Sequence, residues 1–285
     1  MNKAAGAFVC VLLCVVAGCS REKASEPPVA TPTLTLNKTR AAIGSPLRLT
    51  YRFDVAENAA FDADYSVFVH VLEPGGEKLW QDDHTPPVPT SQWKAGQTVE
   101  YTRTVFVPNY PYIGDAEIRL GLYNPSNAKR LTLAGQPVSR NEYVVGRLTL
   151  LPQSENIFLI YKEGWHPAEV DPANPADEWQ WTKKAATISF RNPKRDATFY
   201  LEYDARTDLF TPPQQVTIRS GGETIATFAA ESKNRTLLTF PVAASQFGPA
   251  DMAEITIEVD RTFAPGGADS RELGIRIYNA FVEPK

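Results

Sequence analysis

The sequence predicts an all-β protein: two tandem β-sandwiches behind a short amino-terminal leader and tether. Three observations predict it. From Thr33 onward apolar and polar residues alternate with period two in short runs bounded by turn residues. Past residue 18 no run sustains the 3.6-residue apolar period of an amphipathic helix. Two Gly-Gly pairs, Gly75-Gly76 and Gly221-Gly222, lie between such runs, and glycine adopts the positive φ that a two-residue hairpin turn requires.

In the first half, residues 33–152, strands are expected at Thr33 to Leu36, Leu47 to Phe53, Tyr65 to Leu72, Lys78 to Asp83, Val99 to Val107, Ala116 to Tyr123, Arg130 to Leu133 and Tyr143 to Leu151. About eight such strands fit an immunoglobulin-like or fibronectin-like sandwich. In the second half, residues 153–285, the same pattern marks Ile157 to Tyr161, Glu178 to Thr182, Ala185 to Phe190, Ala197 to Asp204, Val216 to Arg219, Thr224 to Ala229, Thr236 to Val242, Glu254 to Asp260 and Leu273 to Val282. This set suggests a jelly-roll-like sandwich, with Glu163 to Asp177 as a long, proline-broken loop. The connection between the halves is short, which predicts sandwiches set end to end with limited freedom.

Composition narrows the class. The chain has 285 residues and a formal net charge of −4, with no basic face. Nucleic acid and anionic headgroups are therefore not expected as main partners. All three cysteines, Cys10, Cys14 and Cys19, precede residue 20. Nothing downstream can form a disulfide, so the folded part must hold by packing alone.

The amino terminus carries Lys3, an apolar run from Ala4 to Gly18, and then Val16-Ala17-Gly18-Cys19. The run is too short to span about 30 Å of hydrocarbon but suits a secretory signal. Val16 to Cys19 resembles the lipobox of bacterial lipoproteins. That resemblance implies cleavage after residue 18, lipidation of Cys19 with diacylglycerol and N-acylation, and a place in the cell envelope. Stable anchoring needs more than one acyl chain, which such a cysteine carries. Residues 19–32 are the lipidated cysteine and a polar, proline-rich tether; the thirteen residues from Ser20 to Pro32, at about 3.1 Å each, reach up to roughly 40 Å from the bilayer. Ser20, in place of Asp, resembles the default for outer-membrane sorting in Gram-negative lipoproteins.

Only three histidines are available. If Gly75-Gly76 closes a hairpin, paired residue numbers sum to 151, setting His70 opposite Gln81 and His84 opposite Val67. Their faces then differ, and the two imidazoles cannot share a metal. The sequence lacks the nucleophile elbow Gly-x-Ser-x-Gly, the zinc motif His-Glu-x-x-His and a phosphate-cradling glycine loop. Asp82, Asp83, Glu163, Glu169, Asp177 and Glu178 leave paired-carboxylate hydrolysis open. The spacing of Asp171, Asn174 and Asp177 offers oxygens to calcium without the glycine of an EF-hand. No metal and no cofactor is expected. The stretch Glu163-Gly-Trp165-His166-Pro-Ala-Glu169, continuing to Trp179-Gln-Trp181, sets three indoles beside carboxylates and an imidazole. Sugars offer flat C–H faces rimmed by hydroxyls, so an exposed indole with polar neighbours suits them. The expected ligand surface is Trp165, His166 and Glu169, completed by Trp181 and Arg271, with Trp165 as the exposed anchor. The plainer alternative is that Trp179 and Trp181 fill a core and Arg271 pairs with Asp269 in a turn.

Val67-Phe-Val-His70-Val-Leu-Glu-Pro-Gly-Gly, Trp80-Gln-Asp-Asp-His84-Thr-Pro-Pro, Trp93-Lys-Ala-Gly96 and Gly121-Leu-Tyr123-Asn-Pro with Arg130-Leu131 resemble a β-sandwich module that follows the membrane spans of bacterial glycosyltransferases. Gly164-Trp165, Glu169, Trp179-Gln-Trp181 and Asp269-Ser-Arg271-Glu-Leu273-Gly274 are similar to another extracytoplasmic segment of those proteins. The resemblance implies a sandwich fold and a setting among envelope glycans, and no transferase activity, because the spans and catalytic domain are missing. The sequence thus reads as a lipid-anchored, non-catalytic envelope protein, at the outer membrane or its periplasmic face, that binds or organises surface or periplasmic glycans. The alternatives are a scaffold for an envelope protein partner with no small ligand and, more weakly, a glycan-cleaving enzyme. Cys19→Ala expressed in a bacterium is expected to stay uncleaved and to take up no alkyne-palmitate label, whereas the unaltered chain is labelled and sediments with membranes.

Overall fold

Extended backbone turns successive side chains to opposite faces, so alternating sequence becomes sheets with one apolar side. The computed structural model describes residues 26–109 and 112–285, and of 175 and 176 only the backbone. The first half holds β1 (Ala30–Leu36), β2 (Arg40–Ala42), β3 (Pro46–Val55), β4 (Ser66–Leu72), β5 (Lys78–Gln81), β6 (Thr98–Phe106), β7 (Gly114–Tyr123), β8 (Pro137–Ser139) and β9 (Glu142–Leu151). The second holds β10 (Leu159–Tyr161), β11 (Glu169–Asp171), β12 (Asn174–Trp181), β13 (Ala185–Arg191), β14 (Ala197–Asp204), β15 (Gln215–Ser220), β16 (Glu223–Ala229), β17 (Thr236–Val242), β18 (Met252–Val259) and β19 (Arg276–Pro284). The protein is all-β, as expected.

A three-stranded sheet, β1-β3-β6, and a sheet ordered β2-β9-β7-β4-β5, with β8 beside β9, enclose one core. It is built from Tyr51 and Phe53 of β3, Val67, Val69 and Val71 of β4, and Ile118, Leu120 and Leu122 of β7. Asp82 ties the two sheets together. It accepts from the Tyr51 hydroxyl at 3.1 Å and from Arg103 Nε and Nη2 at 3.0 and 2.8 Å. A second core lies between two five-stranded sheets, β10-β13-β18-β15-β16 and β11-β12-β19-β14-β17. Ile188, Phe190, Phe199, Leu201, Ile218, Ile255 and Ile257 are fully buried there. Each such side chain contributes about 2 kcal/mol by leaving water.

The departures from expectation have local causes. Strand β1 begins at Ala30, and Thr31 and Pro32 pair with Asp54 and Phe53, so the end assigned to the tether is strand. Proline fits there because β1 is an edge strand. Residues 1–18, Cys19 and the tether up to residue 25 lie outside the described residues. Arg130 to Leu133 is not a strand; Arg130 makes a single bridge to Tyr123. The loop expected over Glu163 to Asp177 is folded instead: Trp165 bridges Thr182, and β11 pairs with β12. Its turn is locked by Asp171, whose carboxylate accepts from the Ala173 amide at 2.8 Å.

The Gly75-Gly76 turn is not a two-residue loop. Pro74 and Gly75 sit at its centre, closed by the Gly76 amide on the Glu73 carbonyl at 2.9 Å, and only Gly76 takes positive φ, at 93°. A register shift beyond Val71 then restores the expected pairing, His70 with Gln81 and Val67 with His84. Gly221 and Gly222, at φ 56° and 85°, do form the two-residue turn between Ser220 and Glu223.

Gly164 is the position where a side chain is least tolerable. Its φ is +86°, and an added Cβ would lie 1.8 Å from the Ala185 carbonyl oxygen. Gly164→Ala is expected to lower stability by at least about 2 kcal/mol, seen as a lower urea midpoint with unchanged slope.

Candidate functional site

The outward face of the β11-β12-β19-β14-β17 sheet follows from the same alternation that fills the second core. In β14, Phe199, Leu201 and Tyr203 point into the core, so Tyr200, Glu202 and Asp204 point away from it. Register then sets Trp181 of β12, Arg276 of β19 and Asp204 of β14 side by side on three adjacent strands. Trp179 is two residues from Trp181 and shares its face. A register shift at Glu202/Tyr203 gives β19 an extra residue, and Tyr278 and Asn279 both reach the carboxylates of β14.

Arg276 organises this row. Its Nε donates to Asp204 Oδ1 at 2.7 Å and its Nη2 to Oδ2, while its guanidinium carbon lies 5.2 Å from the Trp179 ring centroid, 5.4 Å from Trp181 and 5.7 Å from Tyr278. Tyr278 donates to Asp204 at 2.8 Å. Arg235 covers Tyr278 from 4.5 Å, holds Glu202 through Nε and Nη2 at 2.7 and 3.0 Å, and reaches Asp177 at 3.1 Å. Burial works against the Arg276 charge, but the Asp204 carboxylate outweighs it and holds the guanidinium above its usual range. Burial, then the hydrogen bond to Asp204, pushes the Tyr278 phenol up to about 12. The Trp179 indole N–H is buried and has no partner.

The expected ligand residues are placed differently. Trp165 is not an exposed anchor: it is half-buried against the second core, donates its indole N–H to the Thr187 carbonyl at 2.8 Å, and meets Tyr161 edge-on at 4.8 Å. Because β11 folds back on β12, the segment that carries Trp165 is pinned to the sheet. His166 is 8 % exposed and donates from Nε2 to the Glu272 carbonyl at 2.8 Å. Its imidazole is turned inward as a strut. Trp181 is 7 % exposed, capped edge-on by Phe263 at 5.6 Å, so it offers no open ring face. Arg271 does meet Glu169 through Nη1, but it is also held by Asp269, with Nη2 to Oδ2 at 2.8 Å. The turn pairing and the wider grouping are therefore both present. Asn174 donates to Asp177 at 2.9 Å, and among the described residues no group of three or more His, Cys, Asp or Glu side chains could hold a metal ion.

His70 and His84 lie on opposite faces as their register requires. His84 donates from Nδ1 to the Asp82 carbonyl at 2.7 Å and accepts from the Tyr101 hydroxyl at 2.8 Å; burial holds it below the ordinary imidazole range. His70 instead lies 3.5 Å from Glu142 beside the Phe68 ring. Sequence reasoning missed Asp204, Arg276, Tyr278, Glu202 and Arg235. The available signal was the polar row Tyr200, Glu202 and Asp204 in a strand otherwise apolar.

No family model matches the chain, and no curated protein matches it. Solved structures to which it is similar include the following three. The first is a Pseudomonas fluorescens alkylpurine DNA glycosylase bound to abasic-site DNA, at 11 % identity over 43 % of this chain and 30 % of that one, TM-score 0.27. The second is Bacteroides uniformis β-glucuronidase, at 9 % identity over 89 % and 30 %, TM-score 0.32. The third is an Arthrobacter globiformis isomalto-dextranase complexed with panose, at 10 % over 84 % and 35 %, TM-score 0.27. The chain spans about a third of the length of these structures, and at such scores the likeness carries no argument. No helix among the described residues is long and apolar enough to cross a membrane.

If Asp204 holds the Tyr278 proton, Asp204→Asn should move that phenol from about 12 toward its ordinary value of 10.0. A raised phenol pKa favours the folded state below pH 10 and loses that contribution as pH climbs toward 12, when the unfolded chain gives up its proton first. The substitution should therefore flatten the alkaline decline of the thermal midpoint, and an ultraviolet tyrosinate titration should show one transition moved down.

Proposed function

We propose that the protein is a lipid-anchored component of the bacterial cell envelope, held through Cys19, that binds glycans without cleaving them. The outward face of the second sandwich is the binding surface. One observation carries this reading: an outward sheet face bears an aromatic row, Trp179, Trp181 and Tyr278, packed around Arg276 and set among Asp204, Glu202, Arg235 and Asn279. A sugar ring would lie against the Trp179–Tyr278 end, where neither side chain is fully buried. Its hydroxyls would meet carboxylates and guanidinium groups already oriented by one another, so little ordering remains to oppose binding. Three carboxylates, Asp204, Glu202 and Asp177, stand against the two guanidinium groups of Arg276 and Arg235, and this small negative excess favours neutral glycans over acidic ones. The lipobox resemblance supports the anchor, and the sequence resemblance to extracytoplasmic modules of membrane glycosyltransferases supports a setting among envelope glycans.

The test is a glycan array of the chain from Glu26 to Lys285, which contains every described strand, beside Trp179→Ala. Binding by the wild type that falls at least tenfold in the variant, with unchanged thermal midpoint, is the expected outcome. A folded wild type that binds nothing on the array would overturn the glycan reading and leave the scaffold for an envelope protein partner in its place.

A further inference from the structure

A second surface lies where the two halves meet, away from the aromatic row. The halves are joined by Asn156, which donates to the Ile43 carbonyl at 2.7 Å, and by Glu283, which accepts from Lys38 of the first half and from Tyr200 of the second, each at 2.7 Å. Beside these contacts runs an open cleft of about 1120 Å³. Domain junctions commonly carry ligand clefts.

The lining of the cleft has two parts. One is apolar: Phe158, Ile160 and Met252 line it and are 75 %, 43 % and 46 % exposed. Ile160 pairs with Ser189 of β13, and Arg191 pairs with Met252 of β18, so this wall is the outward side of a sheet whose inward side is the second core. A basic patch adjoins it on the same face, since Arg191 stands directly beside Met252. Arg191 and Arg195 line the cleft, and among the described residues neither guanidinium has an ion pair or hydrogen bond. Lys194 between them is occupied, donating to the Pro249 and Ala250 carbonyls. Lys38 is paired with Glu283; Glu155, the other acidic side chain lining the cleft, has no side-chain hydrogen bond or ion pair among the described residues. Ser45, 2 % exposed, also lines the cleft, and its hydroxyl makes no hydrogen bond.

Two unpaired guanidinium groups in a protein of net charge −4, beside an uncovered apolar wall, define what would fit. A guanidinium pair matches a dianionic oxyanion through forked hydrogen bonds. The apolar wall takes an aliphatic chain. We infer that the inter-sandwich cleft binds a single-chain amphiphile with a phosphate head, the head on Arg191 and Arg195 and the chain along Phe158, Ile160 and Met252. The site is independent of the glycan-binding face.

The test is isothermal titration of the chain from Glu26 to Lys285 with dodecyl phosphate below its micellar concentration. Dodecyl maltoside and inorganic phosphate, run alongside, separate the contributions of chain and head. The expected result is saturable one-to-one binding of dodecyl phosphate, at least tenfold tighter than either control. Binding should weaken at least tenfold in the double variant Arg191→Ala/Arg195→Ala and severalfold in Phe158→Ala, each with an unchanged thermal midpoint because these side chains are exposed. Equal binding of the neutral detergent, or affinity unaltered by the double arginine variant, would overturn the proposal. So would concentration-dependent dimerisation that Phe158→Ala abolishes, since the apolar wall would then be covered by a second copy of the chain.

Discussion

Apolar alternation along extended backbone, with no covalent cross-link behind it, is the constraint on which everything else in this protein depends. No cysteine follows Cys19, so each pair of sheets closes only as well as its inward rows pack. Where they pack well, as along Phe199, Leu201 and Tyr203, the backbone between them has no freedom to turn its other side chains anywhere but out. The outward row of Tyr200, Glu202 and Asp204 is thus a by-product of the core. Its position is as fixed as the core itself.

The two halves use buried charge for different ends. In the first, Asp82 collects Tyr51 from β3 and Arg103 from β6, and the His84 ring beside it accepts from Tyr101, so the network spans the gap between sheets. A carboxylate satisfied from several directions tolerates burial, and its removal would strand the others. In the second half, Asp204 and Glu202 work within one sheet, where they orient Arg276, Tyr278, Arg235 and Asn279 across neighbouring strands. The first network closes a sandwich. The second arranges a surface, on which the Arg276 guanidinium lies over two indoles.

The junction between the halves follows neither pattern. Its polar contacts include Lys38 with Glu283 and Asn156 with Ile43, and beside them Phe158, Ile160 and Met252 stay open to solvent. A junction built for stability alone would bury those three side chains against the opposite half. Here the free cations Arg191 and Arg195 stand at the same place as the uncovered apolar wall, which gives the junction a chemistry distinct from both cores.

The sequence by itself determined the class and most of the strands, because period-two alternation is a local property and each face needs only its own neighbours to be recognised. Ala197 to Asp204 and Thr236 to Val242 were readable to the residue, as was the pairing of His70 with Gln81. That His70 and His84 lie on opposite faces was also expected, but it holds only because the register shift beyond Val71 offsets the longer turn. Only the tertiary structure decided which aromatic residues face solvent. Trp165, read as an exposed anchor, is held down by Thr187, and His166 by the carbonyl of Glu272, more than a hundred positions away. Trp181, Arg276 and Asp204 are distant in sequence, and nothing local marks them as neighbours. Register between non-consecutive strands brings them together, and register is set by how whole sheets pack rather than by any short stretch of chain.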